Sequence, residues 1–427
     1  MSSYRSKLER VRFAPSLREG ASFAAHRTPI TTTPLPRDPR NRLEVLRERI
    51  AELLVKTSPP RREHVADPTQ GDLPFVREET RLGPLYIRTK RLSAAHRVGR
   101  AQVLAGARAS AGMLALLALD PALASLDVAG ALYIDTETTG LSSGSGTVPF
   151  LIGLAFFDVP SGSFVIEQLL LRQLGEEAPM LDRLERRAAD ASMLVTYNGK
   201  SFDLPLLASR YVMNRLPPLP TRAHLDLVHL ARRIHRHRLS QLNLSTVESH
   251  VLGFERTADI AGGDVCSRYT HFLRTSDESA LTAVVDHNEW DIVAMAALVG
   301  LYGEPLECLT PADWVGVART LRRAGALELA HQTADRAVAS GVGDVAVRAR
   351  GEIAKTRGDK AQALADFASL VESVDDPSLR LELAKLYEHH ARAPLEALAL
   401  VARGTGETPE AASRRRLRLE KKRDRAK

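Results

Sequence analysis

Cysteine is scarce in this 427-residue sequence, which has only Cys266 and Cys308 and no CxxC pair. We therefore expect neither a disulfide framework nor a cysteine-based zinc site, but two buried thiols in a reducing compartment. Long apolar runs are also missing, since the longest one, residues 292–301, is about half of what a membrane span needs. The first residues, MSSYRSKLERVRF, lack the apolar segment of a secretory signal. We expect a cytoplasmic protein with no membrane partner.

The composition is otherwise that of a globular protein with a sizeable core, because 44% of the residues are hydrophobic. The chain length indicates two or three domains. The net charge of +7 is unevenly distributed: residues 1–63 hold 14 Lys and Arg against 7 Asp and Glu, and residues 414–427 hold 9 against 2. Basic ends of this kind favour contact with nucleic acid, and the alternative is a solvated tail without a partner.

Composition and periodicity divide the chain into five segments. A basic, largely disordered region with one short helix at 43–55 comes first, and a hairpin turning at 82–84 and a helix at 94–119 lead into the core. A core domain and a wholly helical region follow, before a basic tail. The predicted boundaries are 1–73, 74–130, 131–303, 310–413 and 414–427.

The core domain shows β-branched and aromatic runs that alternate with amphipathic segments. This pattern predicts an α/β fold, namely a mixed five-stranded sheet flanked by helices. The predicted strands are 131–137, 148–159, 163–172, 193–197 and 225–228, and the clearest predicted helices are 176–190, 203–213 and 280–302.

An internal repeat marks the helical region. The stretch GALELA at 325–330 recurs as GDKAQA at 358–363, and RAPLEA at 392–397 is a third copy, so the period is 33 to 34 residues. Small residues at this period resemble tetratricopeptide repeats, which present a concave face to a protein or strand partner. An unrelated alanine-rich helical bundle is the alternative.

Asp135 and Glu137 are the first candidate site residues. They end a predicted strand two positions apart, so both side chains point to the same face of the sheet. Two neighbouring carboxylates repel each other unless a cation or a proton lies between them, and their hard oxygen ligands suit Mg²⁺ or Mn²⁺. A solvated surface pair is the alternative for this motif taken alone.

Two later motifs supply further candidates. Asp203 follows Asn198-Gly199-Lys200 at the start of a predicted helix, where a simple helix cap is the alternative. His287 and Asp291 are four residues apart in the late apolar helix and therefore share a face. A metal would partner an inward-facing Asp291, and a local His–Asp hydrogen bond is the alternative.

Taken together, these motifs resemble the DEDD (DnaQ-like) 3′→5′ exonuclease superfamily, and residues 131–303 look like the YprB-type ribonuclease H-like domain. The likeness is carried by five stretches: DTETTGL at 135–141, FLIG at 150–153, TYNGKSFD at 196–203, DLVHLAR at 226–232 and HNxxD at 287–291. The pattern RxxDIxxG at 256–263 also matches. His287 precedes Asp291 with the spacing that Tyr has in the best-known members.

The resemblance implies hydrolysis of phosphodiester bonds in DNA or RNA, at a single-stranded end, with two divalent ions, Mg²⁺ or Mn²⁺. It implies metal binding by four carboxylates and a general base at His287. It also implies contacts to the terminal nucleotide and to the backbone phosphate. The four carboxylates are Asp135, Glu137, Asp203 and Asp291, and the substrate contacts are Thr138 and Leu141 for the nucleotide and Asn198 and Lys200 for the phosphate.

Two other functions are compatible with the same sequence. A nuclease domain of this kind can hold nucleic acid while cutting it weakly or not at all. Alternatively, the chain is a scaffold whose helical repeats recruit a protein partner. A metal-dependent nuclease assay distinguishes the enzyme from both. A third possibility is an endonuclease of related fold, which would release internal fragments instead of mononucleotides from one end.

Overall fold

The computed structural model of this protein describes residues 73–93, 95–140, 146–256, 259–260 and 262–426. The N-terminal helix predicted at 43–55 lies outside the described residues, as does Leu141.

A single mixed sheet organises the core. Its seven strands lie in the order β1-β2-β5-β4-β3-β6-β7, with β3, β6 and β7 parallel and the other neighbours antiparallel. The predicted mixed sheet is confirmed, but it has two strands more than expected because the N-terminal hairpin pairs with β5 instead of standing apart. The strands are β1 (Val76–Thr80), β2 (Gly83–Leu92), β3 (Ala131–Thr138), β4 (Pro149–Asp158), β5 (Ser163–Leu170), β6 (Met193–Thr196) and β7 (Ala223–Asp226).

Fifteen α-helices occur among the described residues. They are α1 (Ala111–Ala118), α2 (Ala178–Asp190), α3 (Asp203–Met213), α4 (Leu227–His235), α5 (Leu244–Val247), α6 (Gly262–Thr275), α7 (Thr282–Gly303), α8 (Pro305–Cys308), α9 (Pro311–Arg323), α10 (Leu327–Ala339), α11 (Asp344–Arg357), α12 (Lys360–Leu370), α13 (Pro377–Leu386), α14 (Pro394–Ala402) and α15 (Pro409–Ala426). None of these helices is both long and apolar enough to cross a membrane.

Two secondary-structure elements predicted from the sequence differ from the structure. The continuous helix predicted at 94–119 is instead a short β-ladder, a 3₁₀ turn and α1, because Gly99 adopts φ +53° and a Cβ there would lie 2.1 Å from the Leu252 carbonyl oxygen. The strand predicted at 225–228 ends at Asp226, whose carboxylate accepts the Val228 N–H and so caps α4. Both cysteines are free and half-buried, where buried thiols were expected.

The sheet carries apolar side chains on both faces. On β3, Leu132 and Ile134 pack into the core beneath α2 and α3, whereas Ala131 and Tyr133 face the core built around α7. Because side chains alternate along a strand, Asp135 shares the face of Tyr133. The strand register therefore aims this carboxylate at α7.

A glycine lets α7 approach that face closely. Gly153 on β4 pairs with Asp135, and a Cβ on Gly153 would lie 2.2 Å from Ile292 Cδ1 and 2.3 Å from Asn288 Oδ1. Only a hydrogen atom fits between strand and helix at this point. The close approach brings the side chains at positions 287–291 to the end of β3.

Helix pairs repeat through the C-terminal region. In each of the three sequence copies, a residue with positive φ (Gly325 at +81°, Gly358 at +88° and Arg392 at +53°) ends the turn before the second helix of a pair. Ala330, Ala363 and Ala397, at the same place in each copy, are completely buried. The helical repeat is therefore present, while its assignment to the tetratricopeptide class is still a prediction.

The basic tail is part of this region. Helix α15 crosses the boundary expected at residue 413, and three of its cations surround the buried carboxylate of Glu388. Hydrogen bonds from Arg418 and Lys422 outweigh burial and lower the pKa of Glu388 to about 2. Part of the tail's positive charge thus stabilises the fold.

A buried hydrogen-bond network connects the sheet domain to the repeats. The carboxylate of Asp313 on α9 accepts hydrogen bonds from Arg238 (2.5 and 2.9 Å), from Nδ1 of His235 (2.7 Å) and from Thr310 (2.8 Å). Nearby, a Cβ on Gly316 would lie 2.0 Å from the carbonyl oxygen of Ile234, so α9 lies directly against the end of α4.

We predict that Gly153→Ala lowers the free energy of unfolding by about 1–3 kcal/mol, because the added methyl group pushes α7 away from β4. Denaturant unfolding of the full chain measures the effect. Gly112→Ala is the matched control, since the added Cβ meets only Ser110 Oγ at 3.9 Å. Removing a helical glycine there leaves stability equal or slightly higher. Equal stabilities of Gly153→Ala and wild type would contradict the close approach.

Asp313→Asn should lower the free energy of unfolding by about 3 kcal/mol at pH 7, because Arg238 and His235 lose their buried anion. Burial alone would raise the pKa of Asp313, but hydrogen bonds from His235 and Arg238 hold it well below its ordinary value. The carboxylate therefore makes its full contribution to the free energy of unfolding above the ordinary pKa of an aspartate. This contribution is lost as the pH falls below that value.

Below about pH 4, the free energy of unfolding of Asp313→Asn should therefore fall less steeply with pH than that of the wild type. Asp190→Asn, an exposed aspartate at the end of α2, is the control and should stay within about 0.5 kcal/mol of wild type. Parallel pH profiles for Asp313→Asn and wild type would exclude this role.

Candidate metal centre

Two carboxylates occupy the carboxyl end of β3. Asp135 and Glu137 are half-buried and lie beside a register shift that separates Glu137 from Thr138 in the pairing with β4. Such an irregularity ends regular pairing and re-aims the side chains near it. Both carboxylates nevertheless face α7, since Asp135 accepts a hydrogen bond from Asn288 and Glu137 lies 4.0 Å from Nε2 of His287, so they project to one face as predicted.

Asp203 reaches the same place from the start of α3. Phe202 is the N-cap residue of that helix and makes no side-chain cap bond, so capping does not explain Asp203. The buried carboxylate instead accepts a hydrogen bond from the hydroxyl of Thr136 on β3. This bond fixes Asp203 next to the strand that carries the other two carboxylates.

His287 and Asp291 approach from α7. Nε2 of His287 lies 3.6 Å from Oδ2 of Asp291 and 4.0 Å from Oε1 of Glu137. The two residues of α7 are thus not joined by the local hydrogen bond considered from the sequence. One donor atom from each of Glu137, His287 and Asp291 lies within 4.8 Å of the other two, so the three can hold a metal ion.

Asp135 lies close enough to the other three carboxylates for their charges to act on it. Burial raises the pKa of Asp135 well above its ordinary value, and the charges of Asp291, Glu137 and Asp203 raise it further. Burial likewise raises the pKa of Glu137 to about 7 despite His287, and that of Asp203 to about 6 despite Thr136. Four anions are therefore held where a cation would relieve their repulsion.

Asn288 is a site residue that sequence reasoning missed. It is completely buried, and its Nδ2 donates to Oδ2 of Asp135 at 2.8 Å. Its Oδ1 accepts from Gln168, which also donates to the carbonyl oxygen of Val285. These contacts fix the amide with its donor towards Asp135. In the sequence Asn288 lies among the polar residues Asp286, His287 and Glu289, so it gave no signal beyond its place in the HNxxD stretch.

Arg256 supplies the permanent positive charge at this centre. Its side chain is 4% exposed and binds both oxygens of the buried Glu248 carboxylate at 2.7 Å. The same guanidinium donates to Oδ1 of Asp291 and lies 5.7 Å from the centre of the Trp290 ring. Arg256 belongs to the RxxD stretch noted in the sequence, but its partner Glu248 could not be found there.

The substrate contacts expected from the sequence lie around the same strand ends. Asp226 accepts the backbone N–H groups of Asn198 (2.7 Å) and Lys200 (3.0 Å), so it orients that loop. Lys200 is exposed, and the Thr138 hydroxyl donates to the carbonyl oxygen of Gly140. Leu141 is outside the described residues.

Divalent ions suit the groups that converge here. The donors are carboxylate oxygens and one imidazole, which are ligands of Mg²⁺ and Mn²⁺ and of other first-row metals. Arg256 offsets part of the negative charge but binds only Asp291 among the four carboxylates. Burial raises the pKa values of Asp135, Glu137 and Asp203 above their ordinary values, so a bound cation would favour the charged forms of all three.

Comparison with known proteins agrees with this fold. Residues 132–302 match the RNase_H superfamily. The Uncharacterized protein YprB of Bacillus subtilis (strain 168) is 38% identical over 168 residues, which are 39% of this chain and 40% of that protein. The match thus covers less than half of the relative's length.

Among solved structures, the family B DNA polymerase of the hyperthermophilic archaeon Pyrobaculum calidifontis is similar at 14% identity and a TM-score of 0.30, over 53% of this chain and 29% of that chain. The superfamily match spans β3 to α7, the segment that brings the four carboxylates together. Residues 132–302 are therefore a ribonuclease H superfamily domain, and the candidate metal centre lies within it.

Proposed function

We propose that this protein is a metal-dependent 3′→5′ exonuclease that hydrolyses phosphodiester bonds at the end of a DNA or RNA strand. One observation carries the proposal. Asp135, Glu137, Asp203 and Asp291, which come from three distant stretches of sequence, meet at the carboxyl end of β3 on a ribonuclease H-type domain. Open α/β sheets bind their ligands at such strand ends.

Divalent metal ions, Mg²⁺ or Mn²⁺, bound here would lower the pKa of a water molecule and stabilise the charge on the departing 3′ oxygen. The chain's part is to hold the four carboxylates close together although they repel one another. Asn288 holds Asp135, Thr136 holds Asp203 and Arg256 holds Asp291. Each carboxylate that is fixed in this way is ready to bind a cation without first rearranging.

Contacts to the substrate would come from the strand ends beside the carboxylates. Thr138 and Leu141 are proposed to contact the terminal nucleotide, and Asn198 and Lys200 the backbone phosphate. The support is that Asp226 holds the Asn198 loop and leaves the Lys200 side chain exposed. A lysine in this position offers a point charge to a phosphate.

His287 is the one described imidazole that faces the carboxylates. The general-base role expected from the sequence requires its Nε2 to reach a water molecule that attacks the phosphorus atom. Both that role and direct metal binding need the lone pair of Nε2 to point at the centre.

Asp203→Ala should abolish the metal-dependent release of mononucleotides from a labelled oligonucleotide, a loss of at least about 100-fold, because one of the metal-binding carboxylates is gone. The assay uses purified full-length protein with Mn²⁺ and with DNA and RNA strands labelled at the 3′ or the 5′ end. A 3′→5′ exonuclease releases the 3′ label at once and shortens the 5′-labelled strand stepwise.

Asp190→Asn is the matched control, since that carboxylate is exposed at the far end of α2, and it should keep full activity. Unchanged mononucleotide release by Asp203→Ala would count against the assignment. Binding of the strands without any metal-dependent cleavage by the wild type would instead favour a nucleic-acid-binding module.

A further inference from the structure

The position of His287 allows its role to be specified more closely. This step rests on the proposed metal-dependent nuclease, because it concerns the same centre. We infer that His287 is a direct metal ligand through Nε2, together with Glu137 and Asp291, and that the centre therefore prefers Mn²⁺ to Mg²⁺.

The separations between donor atoms support coordination. Two donors that each lie about 2.1 Å from one ion are about 3.0 Å apart when adjacent and about 4.2 Å apart when opposite. Nε2 of His287 lies 3.6 Å from Oδ2 of Asp291 and 4.0 Å from Oε1 of Glu137, within this range. A general base acting through a metal-bound water would have its nitrogen about 4 Å or more from the ion and correspondingly farther from the other ligands.

The other ring nitrogen is held as in a metal-binding histidine. Nδ1 of His287 lies 2.6 Å from Oδ1 of Asp259 and 3.1 Å from Nη1 of Arg256. The contact with the carboxylate is the shorter one, and an ionised carboxylate only accepts hydrogen bonds, so Nδ1 carries the proton. The lone pair is then on Nε2, the atom that faces Glu137 and Asp291. A metal-ligating histidine commonly donates its second N–H to a carboxylate in this way, which fixes both the tautomer and the ring orientation.

Arg256 leaves the required oxygen of Asp291 free. The guanidinium donates to Oδ1 of Asp291, whereas Oδ2 is the oxygen that lies near His287. Glu248 holds Arg256 through two further hydrogen bonds, so the arginine is anchored away from the space between His287 and Glu137. Asp291 can therefore bind Arg256 through one oxygen and a metal ion through the other.

The metal preference follows from the donor types. Carboxylate oxygens accept both Mg²⁺ and Mn²⁺, whereas an imidazole nitrogen suits transition metals better than Mg²⁺. Replacing the imidazole should therefore weaken Mn²⁺ binding more than Mg²⁺ binding. If His287 acted only as a general base, replacing it would leave the affinities for both ions nearly unchanged.

The test is pulsed EPR on the full-length protein loaded with Mn²⁺ alone. We expect nitrogen modulation of the electron spin echo from a directly bound imidazole, and a change in that signal when the protein is labelled with ¹⁵N-histidine. His287→Gln should remove the signal and weaken Mn²⁺ binding at least about tenfold. His390→Gln, which alters an exposed histidine in the repeat region, should leave both unchanged.

Because the ¹⁵N label needs no substitution, the test holds even where His287→Gln does not fold. Bound Mn²⁺ without nitrogen modulation in the labelled and unlabelled wild type overturns the inference, and the proposed exonuclease stands with His287 as its base. No binding of Mn²⁺ by the wild type overturns the inference together with the metal-dependent function.

Discussion

Repulsion among four carboxylates is the constraint on which the rest of this domain depends. Burial raises the pKa values of Asp135, Glu137 and Asp203, and repulsion from the other carboxylates of the cluster raises those of Asp135 and Glu137 further. Such an arrangement costs stability in the absence of a cation and is retained only where the surrounding fold enforces it. Here the sheet register, the close approach of α7 and the anchoring of Arg256 hold the carboxylates together.

Specific contacts hold the carboxylates in place. The absence of a side chain at Gly153 lets α7 lie against β4, and this brings Asn288 within reach of Asp135. Arg256, fixed by the buried Glu248, holds one oxygen of Asp291. A change at Gly153 or Glu248, neither of which is a candidate metal ligand, would therefore alter the geometry of the carboxylates. The geometry of the candidate metal centre thus depends on packing as well as on the carboxylates themselves.

The sequence predicted the parts of this account that depend on local pattern. The strand that carries Asp135 and Glu137 follows from its β-branched and aromatic residues, and the helix that carries Asp291 follows from a long apolar stretch. Both lie within a few residues of their predicted bounds. The helical repeat was visible from its period, and equivalent turns with positive φ at Gly325 and Gly358 agree with it. The mixed sheet and the N-terminal hairpin were predicted as well, but not the pairing of that hairpin with β5.

The remainder depends on contacts between distant residues, which leave no local pattern. Glu248 pairs with Arg256 across a loop, and Gln168 on β5 orients Asn288 on α7. The alanine- and leucine-rich stretch at 94–119 favoured one helix by propensity, but the packing of Gly99 against the Leu252 backbone breaks it. Tertiary contacts outweighed local preference at each of these positions.

The dependence of folding stability on metal ions tests the central claim most directly, with denaturant unfolding of the wild type and of Asp135→Asn measured in chelator and in Mn²⁺. Carboxylate repulsion predicts that Asp135→Asn is the more stable protein in chelator. It also predicts that the wild type gains about 2.7 kcal/mol when Mn²⁺ is present at 100 times its dissociation constant, and that the variant gains much less. A wild type that is at least as stable as the variant in chelator, and that Mn²⁺ does not stabilise, would contradict the account.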